Sequence, residues 1–202
     1  MRRLVFVLVL MAFAVSVSAG GESYSLPELH VIKTVTLAPT HSCRSTEEIQ
    51  KGFQESALFL SDYSRKRNGP DLVFDGACRS RDYFYSSTAG DDMALIGDLG
   101  TNVQLEKLTA HDAFNMRNVN TPADYTRFVR MVQVVEGHTY VVLLNKREIR
   151  GLFVFTVVNH VPNQRVLLRY AVKEYQIMEA KAQSEGFDWG RDNAEKSEVK
   201  QN

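Results

Sequence analysis

The stretch TYVVLLNKREIRGLFVFTVVNHVPNQRVLLRYAVKEYQIM, residues 139–178, decides the fold of this 202-residue chain. Its branched and aromatic residues form three β-rich runs, Thr139–Leu144, Gly151–Val158 and Arg165–Met178. A similar run, Arg127–Val135, comes just before them. Because the connections between these four runs are short, neighbouring strands should be antiparallel, and the sequence predicts a β-meander.

The two inner runs are apolar on both faces. Tyr140 and Val142 alternate with Val141 and Leu143, so neither side of the strand is polar. An antiparallel sheet with one face in water would alternate apolar and polar residues. We therefore expect both faces to be covered by a second sheet, by a helix or by another subunit, and a homo-oligomer through the meander sheet is one expected arrangement.

The last run changes its pattern part of the way along. One face carries four apolar residues at even positions, whereas Tyr175 and Ile177 fall on odd positions. The four are Val166, Leu168, Tyr170 and Val172. Because successive side chains of a strand point to opposite faces, one extra residue is needed to keep all of them on one face. The sequence therefore predicts a β-bulge near Lys173 and Glu174.

The N-terminal half of the chain adds a helix and shorter strands. Ser45-Thr46-Glu47-Glu48 has the pattern of a capping box, and apolar residues then recur with helical spacing as far as Leu60. We expect one amphipathic helix there, ended by the basic turn 65–70. Further strands are expected at Leu29–Leu37, Asp71–Ala77, Asp82–Ser87 and Met93–Asp98. The expected fold class is α+β or mostly β, with a sandwich-like or barrel-like antiparallel meander.

The first 19 residues have the three parts of a secretory signal peptide. Met1-Arg2-Arg3 is basic, Leu4–Val15 is apolar, and Val17-Ser18-Ala19 supplies small residues at a cleavage site. The apolar part is shorter than the roughly 20 residues of a membrane-spanning helix, and no cysteine follows it closely to carry a lipid anchor. Cleavage would leave residues 20–178 as a single β-rich domain and residues 179–202 as a charged, disordered tail. We expect a secreted or periplasmic protein without a membrane anchor in the mature chain.

Charge and motifs exclude several classes of function. The chain has 24 basic and 24 acidic side chains, without the basic stripe that nucleic-acid binding favours. It contains no G-x-S-x-G, H-E-x-x-H, C-x-x-C, Walker A or G-x-G-x-x-G motif. We therefore expect no nucleic-acid partner and no cofactor.

Cys43 and Cys78 are the two cysteines of the chain. Because thiols of exported proteins meet an oxidising environment, we expect a structural disulfide between them. The alternative is a reactive Cys43, since this thiol precedes a predicted helix and lies close to His41.

The candidate ligand-binding residues are Arg81, Tyr83 and Tyr85. They place aromatic surface beside a positive charge, as binding faces often do. The competing interpretation is an ordinary strand in which Phe84 points into the core and the two tyrosines are half-exposed.

Two further groups of residues are weaker candidates for chemistry. Asp91 and Asp92 could form an oxygen-rich calcium site with Asp71, Asp75 and Asp98, although the spacing does not fit an EF-hand. His111 beside Asp112 could be a general base and its orienting carboxylate, although sequence neighbours rarely face each other.

The leading functional hypothesis is an exported soluble module that binds a protein or a small-molecule ligand without catalytic activity. The alternative is a small exported enzyme, a hydrolase or a thiol-redox enzyme, that uses Cys43 or the group Asp91, Asp92 and His111. A structural subunit of an oligomer is the third hypothesis.

Overall fold

The computed structural model describes residues 24–40, 53–76, 81–86, 93–115, 128–146 and 148–178. Within these ranges the chain forms two antiparallel sheets, one of six strands and one of four. The strands are β1 (Lys33–Leu37), β2 (Ala57–Leu58), β3 (Leu72–Asp75), β4 (Tyr83–Tyr85), β5 (Met93–Gly100), β6 (Phe128–Val129), β7 (Met131–Gln133), β8 (Thr139–Lys146), β9 (Ile149–Val161) and β10 (Arg165–Ile177). The six-stranded sheet has the order β1-β10-β9-β8-β5-β6, and the four-stranded sheet has the order β2-β3-β4-β7. The fold is therefore mostly antiparallel β.

Helical structure is sparse in the described ranges. A π-helix spans Ser64–Asn68, a short α-helix spans Ala110–Asn115, and residues 53–56 are helical. The amphipathic helix predicted from the capping box begins among residues that lie outside the described part. Its predicted continuation to Leu60 is wrong, because Ala57 and Leu58 pair with β3 as strand β2. No helix in the described part is long and apolar enough to cross a membrane.

The predicted meander is confirmed for three of its four runs. Strands β8, β9 and β10 follow one another in sequence and lie side by side. The run Arg127–Val135 was expected next to β8, and this expectation is wrong. Strand β5 pairs with β8 instead, while the run is interrupted at the exposed Arg130 and divides into β6, next to β5, and β7, next to β4. Strands β6 and β7 have only two and three residues and can form few backbone hydrogen bonds, whereas β5 has eight residues that can pair with β8.

The predicted bulge in β10 is confirmed. Val172 lies opposite Phe153 and Glu174 lies opposite Leu152, so Lys173 is the extra residue. A second shift of register falls between Leu167 and Leu168, which the sequence pattern did not indicate.

The two sheets pack face to face. The Phe84 ring of the four-stranded sheet lies 5.0 Å from the Phe155 ring and 5.8 Å from the Tyr140 ring, both of the six-stranded sheet. Leu72 and Phe74 complete this core from the same side as Phe84. One apolar face of the meander is therefore covered by the second sheet.

The opposite face of the meander is covered by a different part of the chain. Leu105, Leu108 and Ala113, in and before the short helix, share a buried cluster with meander residues of β8, β9 and β10. The prediction that both faces are covered is thus confirmed, and the described chain itself supplies both covers. The homo-oligomer through this sheet stays a prediction, but it is not needed to bury the apolar faces of the meander.

Several expectations fall outside the described residues. They are the signal peptide at residues 1–19, Cys43 with Cys78, Asp91 with Asp92, and the tail at residues 179–202.

Candidate functional site

Strand β4 carries the candidate residues Tyr83 and Tyr85. Phe84 between them is fully buried between the two sheets, and both tyrosines are partly exposed. Because side chains alternate along a strand, the two phenol rings stand on the outer face of the four-stranded sheet. This agrees with the orientation that the sequence indicates for the strand.

Cross-strand neighbours extend this outer face. Tyr83 lies opposite Gln133 and Tyr85 lies opposite Met131, both on the edge strand β7. Arg81 Nη1 donates a hydrogen bond of 2.8 Å to Gln133 Oε1, which holds the guanidinium beside Tyr83. Met131 is 54% exposed, a large value for an apolar side chain. We call the surface formed by Arg81, Tyr83, Tyr85, Met131 and Gln133 the tyrosine face.

The electrostatics of this face keep Tyr85 neutral. Burial raises the pKa of the Tyr85 phenol, and the negative charge of Asp75 raises it further. Tyr85 is therefore a hydrogen-bond donor at neutral pH, next to an apolar methionine. The tyrosine face combines apolar contact area with hydrogen-bond donors and hydrogen-bond acceptors.

A second group of polar residues begins at Asp82, immediately before β4. Its side chain is buried, and His160 Nε2 lies 2.7 Å from its Oδ2 atom. The Asn163 amide donates to the same oxygen at 2.8 Å. The pair joins the start of β4 to the end of β9. In such a pair the buried carboxylate orients the imidazole, and the imidazole is the group that can act as a general base.

His138 and Asp98 form a second imidazole–carboxylate pair. His138 Nδ1 lies 3.0 Å from both carboxylate oxygens of Asp98, and Asp98 Oδ1 also accepts the Gly100 amide at 2.8 Å. The neighbouring Glu136 accepts the His160 amide through its carboxylate. Both pairs therefore lie beside the loop that precedes β8.

The weaker candidate dyad of His111 and Asp112 has no direct hydrogen bond between its members. His111 Nδ1 is 3.8 Å from Asp112 Oδ1, which is too long for a hydrogen bond. The Asp112 carboxylate instead accepts the Thr109 hydroxyl at 2.7 Å, and this bond lowers the pKa of Asp112. Both residues line a shallow groove of about 420 Å³ together with Lys107.

The carboxylates considered for calcium are separated in the described chain. Asp71 pairs with Lys146, Asp98 pairs with His138, and Asp75 lies opposite Tyr83. No group of three metal-ligating side chains is found among the described residues. Asp91 and Asp92, and also His41 and Cys43, lie outside them.

Sequence reasoning missed the contact between Asp82 and His160. These residues are 78 positions apart, and they meet only because the packing of the two sheets brings the start of β4 next to the end of β9. A polar residue next to a buried strand was the only local signal.

The fold and the site define this protein as a two-sheet antiparallel β-sandwich with a half-exposed aromatic face on its smaller sheet. Comparison with models of protein families, with curated proteins and with solved structures finds no match to this chain.

Proposed function

We propose that this protein is an exported binding module without catalytic activity, and that it contacts its ligand through the tyrosine face. The observation that carries the proposal is the position of Tyr83 and Tyr85. Their strand is fixed by the buried Phe84, yet both rings remain partly exposed beside the exposed Met131. The ligand is a partner protein or a small molecule.

The residue types support this use of the face. Tyrosine and arginine are common at binding hot spots, because they give a large contact area and hydrogen bonds from few rotatable bonds. Arg81 is held by Gln133, so less side-chain freedom is lost when a ligand binds. Strands β4 and β7 carry these groups, except for Arg81, which lies two residues before β4.

Export and the disulfide belong to the same proposal. Cleavage after Ala19 would deliver the domain to a periplasm or to the outside of the cell, where Cys43 and Cys78 would pair. Mass spectrometry of the exported protein tests both statements. An N terminus at Gly20 and a mass lower than that of the reduced form by two hydrogen atoms support them, and an uncut leader or two free thiols would contradict them.

The binding test compares the tyrosine face with a matched surface. Exported wild-type protein and the Tyr83→Ser/Tyr85→Ser variant are immobilised and exposed to the extracellular fraction of the producing cells. Loss of a tyrosine hot spot costs about 2 kcal/mol or more, so retention should fall roughly 30-fold. Equal retention by folded wild type and double variant would contradict the proposal.

An arginine pair supplies the control. Arg81 and Arg169 are both exposed and each donates to one surface partner, Gln133 and Glu106 respectively. Arg81→Gln should weaken retention, whereas Arg169→Gln on the other sheet should not. A similar loss for both would show that charge in general, and not the tyrosine face, determines retention.

The alternative proposal is a small exported hydrolase or thiol-redox enzyme that uses Cys43 or Asp91, Asp92 and His111. One observation favours it: His111 lines a groove with Lys107 and Asp112. Titration of native protein with a thiol reagent tests the redox version, which requires a reactive Cys43. The hydrolytic version requires ester or amide hydrolysis that His111→Ala abolishes.

A further inference from the structure

A groove opens on the side of the sandwich where the two sheets meet. Strand β1 is the edge of the six-stranded sheet and β2 is the edge of the four-stranded sheet. The space between them has a volume of about 530 Å³, which is within the range of small-molecule sites. We call it the seam groove. It lies at the edge of the smaller sheet opposite to β7 and the tyrosine face.

The seam groove has an apolar side. Val35 and Leu37 of β1 and Leu58 of β2 line it, and all three pack on the core between the sheets. Tyr170 adds a half-buried aromatic ring from β10. Leu37 and Leu58 are already almost fully buried. A ligand with an apolar body would therefore remove mainly the surface of Val35 and Tyr170 from water, at about 25 cal/mol for each Å² buried.

The rim of the groove is polar and carries more positive than negative charge. Arg65 and Arg165 line it, with Glu55 as the one acidic side chain. The Arg65 guanidinium lies over the Phe59 ring at 4.8 Å from its centre, which fixes its position. No hydrogen bond or ion pair joins the Arg165 side chain to a described residue. The Arg65 guanidinium is therefore held at the rim by Phe59, and the Arg165 guanidinium has no described partner that competes with a ligand.

We propose that the seam groove binds a small amphiphile with an apolar body and one carboxylate head group. Guanidinium groups bind carboxylates with two parallel charge-assisted hydrogen bonds, and the apolar side receives the rest of the molecule. This site uses no residue of the tyrosine face, so it does not depend on the function proposed above.

The backbone favours a small ligand over an added peptide strand. The Ala38 amide already donates to the Glu55 carbonyl at 3.0 Å, on the outer edge of β1. Because this bond closes the edge just after β1, an incoming strand would have only the five residues of β1 to pair with. A compact molecule fits between the two edges without breaking it.

The test uses decanoate, 2-naphthoate and decanol as probes for the full exported chain. Calorimetry gives the affinities, and amide chemical shifts in nuclear magnetic resonance spectra give the location. We expect saturable binding of at least one acid, with shifts at Val35, Leu37 and Leu58. Preference for decanoate identifies an aliphatic body, and preference for 2-naphthoate identifies an aromatic one. Absence of saturable binding by both acids would overturn the proposal.

Charge variants test the role of the head group. Arg65→Gln/Arg165→Gln should weaken acid binding by about tenfold or more, because charge-assisted hydrogen bonds are lost. Arg169→Gln changes the charge by the same kind of substitution on the same strand as Arg165, but its partner Glu106 lies outside the groove. It should leave the affinity unchanged. If decanol binds as tightly as decanoate, or if the double variant binds both acids normally, the carboxylate assignment is overturned.

Discussion

The ammonium group of Lys146 lies 2.8 Å from the carboxylate of Asp71, and neither side chain is accessible to solvent. Lys146 Nζ also donates to the carbonyls of Gly69 and Pro70, while the second Asp71 oxygen accepts the Leu60 amide. This network ties the end of β8 to the loop before β3 and so joins the two sheets. Lys146→Met should lower the free energy of unfolding by about 3–5 kcal/mol, because it leaves Asp71 charged, buried and unpaired.

Urea denaturation of Lys146→Met, Asp71→Asn and the double variant measures this coupling. The double variant should lose less stability than the sum of the single variants, since no unpaired charge remains in it. A loss below about 1 kcal/mol in Lys146→Met would show that the pair is not desolvated as described.

Tyr140 should make the protein sensitive to alkaline pH. Its hydroxyl donates to the Gln133 carbonyl at 2.9 Å, and burial, together with the charge of Asp98, raises its pKa well above the ordinary value. Burial also raises the pKa of Tyr85, Tyr170 and Tyr175. The unfolded chain releases these protons near pH 10 while the folded chain retains them. The stability that they contribute is therefore complete below about pH 10 and is lost as the pH rises above it.

Denaturation of wild type and Tyr140→Phe on both sides of pH 10 tests this. The variant should lose about 1–3 kcal/mol at neutral pH, because the partly buried Gln133 carbonyl loses its donor and the Val135 amide loses its acceptor. Its further loss at alkaline pH should be smaller than that of the wild type. If the free energy of unfolding falls equally steeply with pH in the variant and in the wild type, Tyr140 makes no contribution to the alkaline sensitivity.

The sequence predicted the parts of the fold that rest on a long apolar pattern. The two-sided runs of β8 and β9 required cover on both faces, and the parity change in β10 required a bulge at Lys173. Both features follow from the two-residue period of a strand, so the sequence of the strand predicts them even when its pairing partner is unknown. The division of Arg127–Val135 between two sheets depends on competition with β5, which no local pattern contains.

The candidate sites show the same limit. The half-exposed positions of Tyr83 and Tyr85 follow from alternation around Phe84. The Asp82–His160 pair and the seam groove depend on which strand edges meet, and this is decided by packing across the whole domain. Apart from the polar Asp82 next to a strand with a buried residue, the order of the residues gives no signal for these sites.

Gly151 should not tolerate a larger side chain. A Cβ atom added there would lie 2.9 Å from the Glu174 carbonyl oxygen, a backbone atom next to the bulge in β10. Gly151→Ala should therefore cost about 1–3 kcal/mol through overpacking. Gly137 is the matched position, since its φ of 80° is strained for alanine but nothing lies near its added Cβ atom.

The two glycines are separated by their second variants. Gly137→Asn should be better tolerated than Gly137→Ala, because asparagine adopts positive φ more readily. Gly151→Asn should be at least as harmful as Gly151→Ala, because the obstacle there is space. Thermal denaturation midpoints give the order, and a wild-type midpoint for Gly151→Ala would contradict the close approach of β9 to the bulge.

Asp82 should contribute to stability through the hydrogen bonds that it accepts from the His160 ring and from the Asn163 backbone amide. Asp82→Ala removes a buried acceptor from both, so we expect a loss of about 2–3 kcal/mol in the free energy of unfolding. Asp82→Asn keeps one acceptor oxygen and should lie between this variant and the wild type. Glu106→Ala is the control, because its partner Arg169 is exposed and exposed pairs contribute little. If Asp82→Ala is no more harmful than Glu106→Ala in urea denaturation, the carboxylate does not hold β4 to β9.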